Sequence, residues 1–196
     1  MAAKGTNSYR STMLQLLENL LKQYETPKMK AAWPHFETQK YGRLVFVGSV
    51  AWFRGGFGQG NYAAAKGALC GLNGICAVEG FKNNVYSNLI CTEGVTRMTE
   101  NIFPKEIHDQ LKPEFAANAV LALCHESCPT TGAMYQTEGD TVRQMRVQAA
   151  EGFTYDPSKS DALDTLSANW EKTQDFTKNT YPAEDTHPKV ERRAKM

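Results

Sequence analysis

Apolar residues change their spacing several times along this chain, and each change marks an element. Thr12 to Gln23 places Met13, Leu16, Leu17, Leu20 and Leu21 on one stripe, which predicts an amphipathic helix that Pro27 interrupts. A second helical piece is expected from Lys28 to Phe36, with Pro34 near its end. Leu44 to Gly48 is a short apolar run, which predicts a buried strand. Trp52 to Gly60 carries Gly55, Gly56, Gly58 and Gly60 and is expected to be a loop. Asn61 to Lys82 then predicts the strongest helix, dense in small residues (Ala63, Ala64, Ala65, Gly67, Ala68, Gly71, Gly74) that let another backbone approach closely. Val85 to Cys91 predicts the next strand, so the unit reads β–α–β with parallel strands and a right-handed crossover.

The later pattern is weaker. Thr92 to Pro104 is expected to be a loop. Lys112 to Cys124 is expected to be a helix with Phe115, Ala119, Val120 and Leu123 on one side. Gly132 to Gln136 reads as a short strand and Asp156 to Ser160 as a turn. Asp161 to Phe176 reads as an exposed helix carrying Leu163, Leu166 and Trp170, and the polar remainder as a tail. The fold class expected is α/β, a partial Rossmann-like parallel sheet with flanking helices.

Length and charge narrow the function classes. The 196 residues suit one domain with a sizeable core, and a net charge of +1 gives no support for nucleic-acid binding. No apolar run approaches a membrane span, and the first ten residues lack the apolar centre of a secretory signal. Five cysteines, an odd number mostly in apolar settings, read as reduced structural thiols. Cys124 and Cys128 are spaced by three residues, with no second Cys/His pair at finger-like distance, so no metal site is expected.

The candidate chemistry lies at the β–α–β unit. Tyr62 and Lys66 are one helical turn apart, and Ser49 stands thirteen residues before the tyrosine at a strand end. Tyrosine is a poor base near neutrality, but an ammonium at i+4 shares its helix face and favours the phenolate. A serine hydroxyl beside them can donate to a substrate oxygen while the tyrosine exchanges its proton. Together the three suit alcohol–ketone redox chemistry. The bare Tyr-x-x-x-Lys spacing occurs three times. Tyr24/Lys28 is opposed by Pro27 and Tyr155/Lys159 encloses Pro157, so only Tyr62/Lys66 joins a strand, a loop and a strong helix.

These three residues resemble the serine, tyrosine and lysine of the short-chain dehydrogenases/reductases. The blocks AAWPHF, YGRLVFVGS, FGQGNYAAAKGALCGL, VEGFKNN, TRMTENIFP and ALCHESC are similar to one branch of that family, the (3R)-hydroxyacyl-CoA dehydrogenase domains of peroxisomal multifunctional enzymes. The resemblance runs from about Lys28 to Tyr181. It implies NAD as hydride acceptor, fatty acyl-CoA substrates, and oxidation of a (3R)-3-hydroxyacyl-CoA to the 3-ketoacyl-CoA. It also implies catalytic roles for Ser49, Tyr62 and Lys66, cofactor contacts from Tyr62, Lys66, Thr92 and Gly94, and a homodimer or a dimer with a complete paralogue. The terminal Ala194-Lys195-Met196 is a variant of the small–basic–large peroxisomal address, which implies a peroxisomal location and an import receptor as partner.

The departures from the family pattern are equally specific. The family's first strand and Gly-rich phosphate turn, the acidic residue that grips the adenine ribose, and the asparagine before the serine strand have no counterpart here. The family's Pro-Gly after the second of these strands is replaced by Thr92-Glu93-Gly94. The expected organisation is therefore an atypical helical segment at 1–27, the C-terminal half of a short-chain dehydrogenase domain at 28–150, a helical extension at 151–181 and a flexible tail with the targeting signal at 182–196. The NAD site is expected to be incomplete. Rival expectations are a non-catalytic interaction module that binds through the Asn61–Lys82 helix, and a steroid or short-chain alcohol dehydrogenase using the same three residues.

Overall fold

A computed structural model of the chain describes residues 26–177, so the expected N-terminal helix and C-terminal address lie outside the described residues. The described residues divide into two compact units, one containing residues 26–145 and the other residues 146–177.

The first unit is a four-stranded sheet in the order β1-β2-β3-β4. Helix α1 (Thr26–Gln39) leads into β1 (Gly42–Gly48), and a short helix α2 (Ala51–Arg54) follows. Next come helix α3 (Gly60–Gly80), strand β2 (Val85–Thr92), helix α4 (Pro113–Cys124), β3 (Met134–Glu138) and β4 (Thr141–Met145). β1, β2 and β3 are parallel, with Gly42 opposite Val85 and Leu89 opposite Met134, whereas β4 pairs antiparallel with β3. This is the α/β architecture that the β–α–β pattern predicts.

Helices cover both faces of the sheet. On one side Phe46, Leu69, Cys76, Leu89 and Cys91 form a core, with Met29 and Trp33 of α1 packed against it. On the other, Ile90 meets Ala119 and Leu123 of α4 and Cys128. β2 is paired on both edges and nearly all buried, as its apolar run requires. Its two polar interior residues are fully engaged. Ser87 Oγ donates to Asn73 Oδ1 at 2.8 Å, Asn73 Nδ2 donates to the Ala133 carbonyl at 3.2 Å, and Asn88 Nδ2 donates to the Thr130 carbonyl at 2.9 Å.

Four expectations need correction. Trp52 to Gly60 is not loop throughout, because α2 occupies Ala51–Arg54 before the chain turns at Gly55 (φ 71°) and Gly58 (φ 76°). The helical piece expected from Lys28 to Phe36 extends over Thr26–Gln39, and Pro27 lies in its first turn, where a missing N–H costs nothing. β4 was not expected at all. The helix expected over Asp161–Phe176 is instead α5 (Ala162–Ala168) followed by a 3₁₀ turn at Trp170–Gln174. In that second unit, taken by itself, Phe153 and Tyr155 rings lie 6.2 Å apart and Lys172 Nζ lies 6.0 Å from the Phe153 ring centre.

Candidate active site at the carboxyl ends of β1 and β2

Parallel strands bring their carboxyl ends to one side of the sheet, and the expected site residues lie there. Ser49 directly follows β1. Its Oγ accepts the Ala51 backbone N–H at 3.2 Å, and its carbonyl accepts the Trp52 N–H at 3.4 Å. These two bonds turn the chain into α2 and fix where the serine stands.

Tyr62 sits in the first turn of α3 and is 41% exposed. Lys66 is one turn on. Its Nζ lies 5.9 Å from the Tyr62 ring centre and donates to the Val47 carbonyl at 2.7 Å. The ammonium is therefore anchored to the end of β1, beside Ser49, rather than extended into solvent. Among the described residues no hydrogen bond joins the Ser49 and Tyr62 hydroxyls. The backbone N–H of Tyr62 is taken by Asn61 Oδ1 at 2.9 Å.

Thr92 is the last residue of β2, opposite Thr137 of β3. Gly94 follows in the exit loop, where its carbonyl accepts the Thr99 hydroxyl at 2.8 Å and Val95 N–H donates to the Leu111 carbonyl at 2.8 Å. These bonds give the loop a defined path beside the strand end.

Three residues at this end of the sheet carry no signal in the motif. Cys91 is completely buried next to Thr92. Burial pushes its thiol above the ordinary value, while the Trp52 indole, the Lys66 charge and the Ser49 backbone pull it back. Those counteracting groups place the thiol in the same neighbourhood as Ser49 and Lys66. Arg54 of α2 lies 3.6 Å from the Glu93 carboxylate, which also accepts Gln136 Nε2 at 3.4 Å. The ion pair ties the segment after Ser49 to the β2 exit loop. Half-exposed, it contributes at most about 1 kcal/mol. Nothing in the sequence pattern distinguishes Arg54 and Glu93 from ordinary solvated charges.

A nicotinamide dinucleotide makes two demands on such a site. Its reacting end needs polar groups near the strand ends, and Ser49, Tyr62, Lys66 and the Thr92–Gly94 loop meet that demand. Its pyrophosphate needs a crowded glycine turn at a helix N-terminus. Among the described residues the polar groups at the strand ends suit the reacting end of such a cofactor, and the glycines lie next to the helix that carries Tyr62, after α2 rather than directly after a first strand. Among them no cluster of His, Cys, Asp or Glu suits a metal ion, and no helix is long and apolar enough to cross a membrane.

Comparison with known proteins places the chain in a family. The short chain dehydrogenase family matches residues 27–107. The chain is 36% identical over 154 residues to the peroxisomal multifunctional enzyme type 2 of Mus musculus, covering 78% of this chain and 21% of that one. It is 38% identical over 149 residues to a short-chain type dehydrogenase/reductase of Mycobacterium tuberculosis, covering 76% of this chain and 51% of the other. Among solved structures, the full-length peroxisomal multifunctional enzyme type 2 of Drosophila melanogaster superposes with a TM-score of 0.66 at 33% identity, covering 76% of this chain and 27% of that one. The chain thus spans about half the length, or less, of the relatives it matches.

Proposed function

Because this chain belongs to the short chain dehydrogenase family, we propose that it carries the proton-transfer end of an NAD-dependent (3R)-3-hydroxyacyl-CoA dehydrogenase acting in the peroxisome. What supports the reading is that Ser49 follows β1 and that Lys66 Nζ, 5.9 Å from the Tyr62 ring centre, donates to the Val47 carbonyl near the same strand end, in a chain similar to peroxisomal enzymes.

The residues divide the work by their chemistry. The Ser49 hydroxyl donates to the substrate's carbinol oxygen and holds it in place. Tyr62, open to solvent in the first turn of α3, takes the hydroxyl proton. The Lys66 ammonium, 5.9 Å from the Tyr62 ring centre, supplies the positive charge beside that proton path. NAD, when bound, supplies the acceptor for the hydride that leaves the same carbon. Thr92 and Gly94 offer it a backbone edge at the end of β2. The apolar residues exposed near these strand ends, Phe53, Phe57, Met98 and Ile102, suit a fatty acyl substrate better than a sugar.

The test is NADH formation by the purified chain from (3R)- and (3S)-3-hydroxyacyl-CoA, with and without Tyr62→Phe. Turnover confined to the 3R isomer and lost in the variant is expected. A rate that survives the substitution removes Tyr62 from the proton path and the reading with it.

A second reading rests on α3. Ile75 is 49% exposed, Val78 53% and Phe81 at its end 36%, while a Cβ on Gly71 or Gly74 would meet nothing within 4 Å. That open apolar face supports a role as a pairing module, with a second copy or a complete paralogue as partner. No NADH formation together with no calorimetric NAD binding favours this reading over the first.

A further inference from the structure

Among the described residues three side-chain atoms are buried with no hydrogen-bond partner: Arg43 Nε, Trp52 Nε1 and Thr137 Oγ1. Two of them have local compensation. The Arg43 guanidinium lies between the rings of Tyr41 and Tyr86, at 4.4 and 4.2 Å, and donates to the carbonyls of Gly42 and Asn84. The Trp52 indole stands beside the Cys91 thiol, a weak acceptor. Thr137 has neither. It is 1% exposed, and a buried hydroxyl left unpaired costs stability.

Its place in the sheet says what could use it. Side chains alternate between the two faces along a strand. In β2, Ile90 packs on α4 while Leu89 and Cys91 join the opposite core, so Thr92 returns to the α4 face. In β3, Tyr135 packs with Ile90 and Met134 with the opposite core, so Thr137 belongs to the α4 face as well. The ladder sets Thr92 directly opposite Thr137. Neighbouring strands run about 5 Å apart, which lets two opposed threonine hydroxyls meet through a turn about χ1. Thr92 is half-buried and ends β2, at the side of an open α/β sheet where ligands bind. The frame around the pair is fixed. Glu93 N–H donates to the Thr137 carbonyl at 3.3 Å. Gly139, at φ 59°, lets the turn after β3 lie so close to the Gln110 carbonyl oxygen that a Cβ would stand 2.6 Å from it.

We propose that Thr137 is a positioning residue for a nicotinamide ligand: its hydroxyl donates to Thr92 Oγ1, and the Thr92 hydroxyl donates to the carboxamide oxygen of the ligand. Each hydroxyl has one proton to give and lone pairs to accept, so this order satisfies both donors. The bond accepted by Thr92 polarises its O–H and strengthens the outer bond. In the unliganded chain the inner hydroxyl bears the cost of being unpaired, and the bound ligand removes that cost. The identity of the ligand rests on the NAD-dependent reaction proposed above, whereas the need for a partner at Thr137 rests on the sheet alone.

The experiment compares the full chain with Thr137→Val, which keeps nearly the same shape without the hydroxyl, and Thr137→Ser, which keeps the hydroxyl. Each is titrated calorimetrically with NAD and with its thionicotinamide analogue, whose sulfur is the poorer acceptor, and each is unfolded in urea without ligand. Thr137→Val should hold or raise the urea midpoint, weaken NAD binding about tenfold and lose the preference for NAD over the analogue. Thr137→Ser should keep the parent's NAD affinity within about threefold, and its preference. Equal NAD affinity in the parent and Thr137→Val overturns the proposal. So does a lower urea midpoint in Thr137→Val with the preference unchanged, which makes the hydroxyl a structural group. A parent that binds no NAD overturns it together with the NAD reading. NAD binding that depends on Thr137, without turnover of (3R)-3-hydroxyacyl-CoA, sinks the proposed reaction and leaves Thr137 in its role.

Discussion

Gly80 at the end of α3 and Val85 at the start of β2 touch backbone to backbone: a Cβ on Gly80 would stand 2.6 Å from the Val85 carbonyl oxygen. That contact sets how closely the helix carrying Tyr62 and Lys66 lies on the sheet. The neighbouring atoms are a strand carbonyl and a buried valine, neither of which can swing aside. Gly80→Ala should therefore cost about 1–3 kcal/mol by overpacking, read as a lower urea midpoint. Gly71→Ala in the same helix meets no atom within 4 Å and should be neutral or stabilise by up to about 1 kcal/mol. Equal effects at both positions would refute close packing as the reason for Gly80.

Asn73 joins α3 to β2 and to the segment before β3. It is 1% exposed and holds both Ser87 Oγ and the Ala133 carbonyl. Asn73→Ala leaves a buried hydroxyl and a carbonyl without that partner, at a cost of about 2–4 kcal/mol. Asn73→Ala combined with Ser87→Ala should recover part of this loss. A strictly additive double variant, measured by denaturant unfolding, would mean that the two side chains do not act as a network.

The buried Cys76 and the partly buried Cys70 give the chain an alkaline sensitivity. Burial pushes Cys76 from the ordinary 9.0 to about 11, reinforced by Glu79, and Cys70 to about 11, reinforced by Cys91. Between these values the unfolded chain loses the thiol protons while the folded chain keeps them. The unfolded state then binds fewer protons, so stability falls as pH rises from about 9 to about 11 and is flat below, as far as these groups are concerned. Urea midpoints for the parent and Cys76→Val across this range check the sign. The variant should show a shallower decline, and identical slopes would remove Cys76 as a cause.

The parts of the fold that could be read from the sequence are those that fill the core. β1, α3 and β2 announce themselves because Phe46, Leu69, Leu89 and Ile90 fill the core and leave an apolar signal. β4 leaves almost none: its first four residues are exposed and held by pairing to β3, and only its last, Met145, packs against the core. α2 hides for another reason. Ala51 to Arg54 sits beside four glycines whose composition speaks for a loop, while the Ser49 bonds that start the turn are invisible to composition. The same division holds at the site. Ser49, Tyr62 and Lys66 are linked by spacing within one β–α unit and were legible. Cys91, Arg54 and Glu93 are brought there by strand pairing and a side-chain ion pair between distant segments, which no local pattern records. The capture of Lys66 by Val47 is likewise a tertiary fact, nineteen residues apart in the chain.

Tyr62 and Lys66 differ in what they do for the fold, and that difference makes their roles separable. The Tyr62 side chain is half out in solvent, and no hydrogen bond to its hydroxyl is found among the described residues. Tyr62→Phe should change stability by no more than about 0.5 kcal/mol while lowering turnover by about 10²–10⁴, the range for losing a proton-transfer group. Lys66 also ties α3 to the end of β1 through the Val47 carbonyl. Lys66→Ala should therefore lower turnover and, in addition, cost about 0.5–1.5 kcal/mol of stability in the isolated chain. Paired measurements of NADH formation and urea unfolding on both variants decide the matter. A Tyr62→Phe protein that is markedly destabilised would show that the phenol serves the fold, and the proton would then need another carrier.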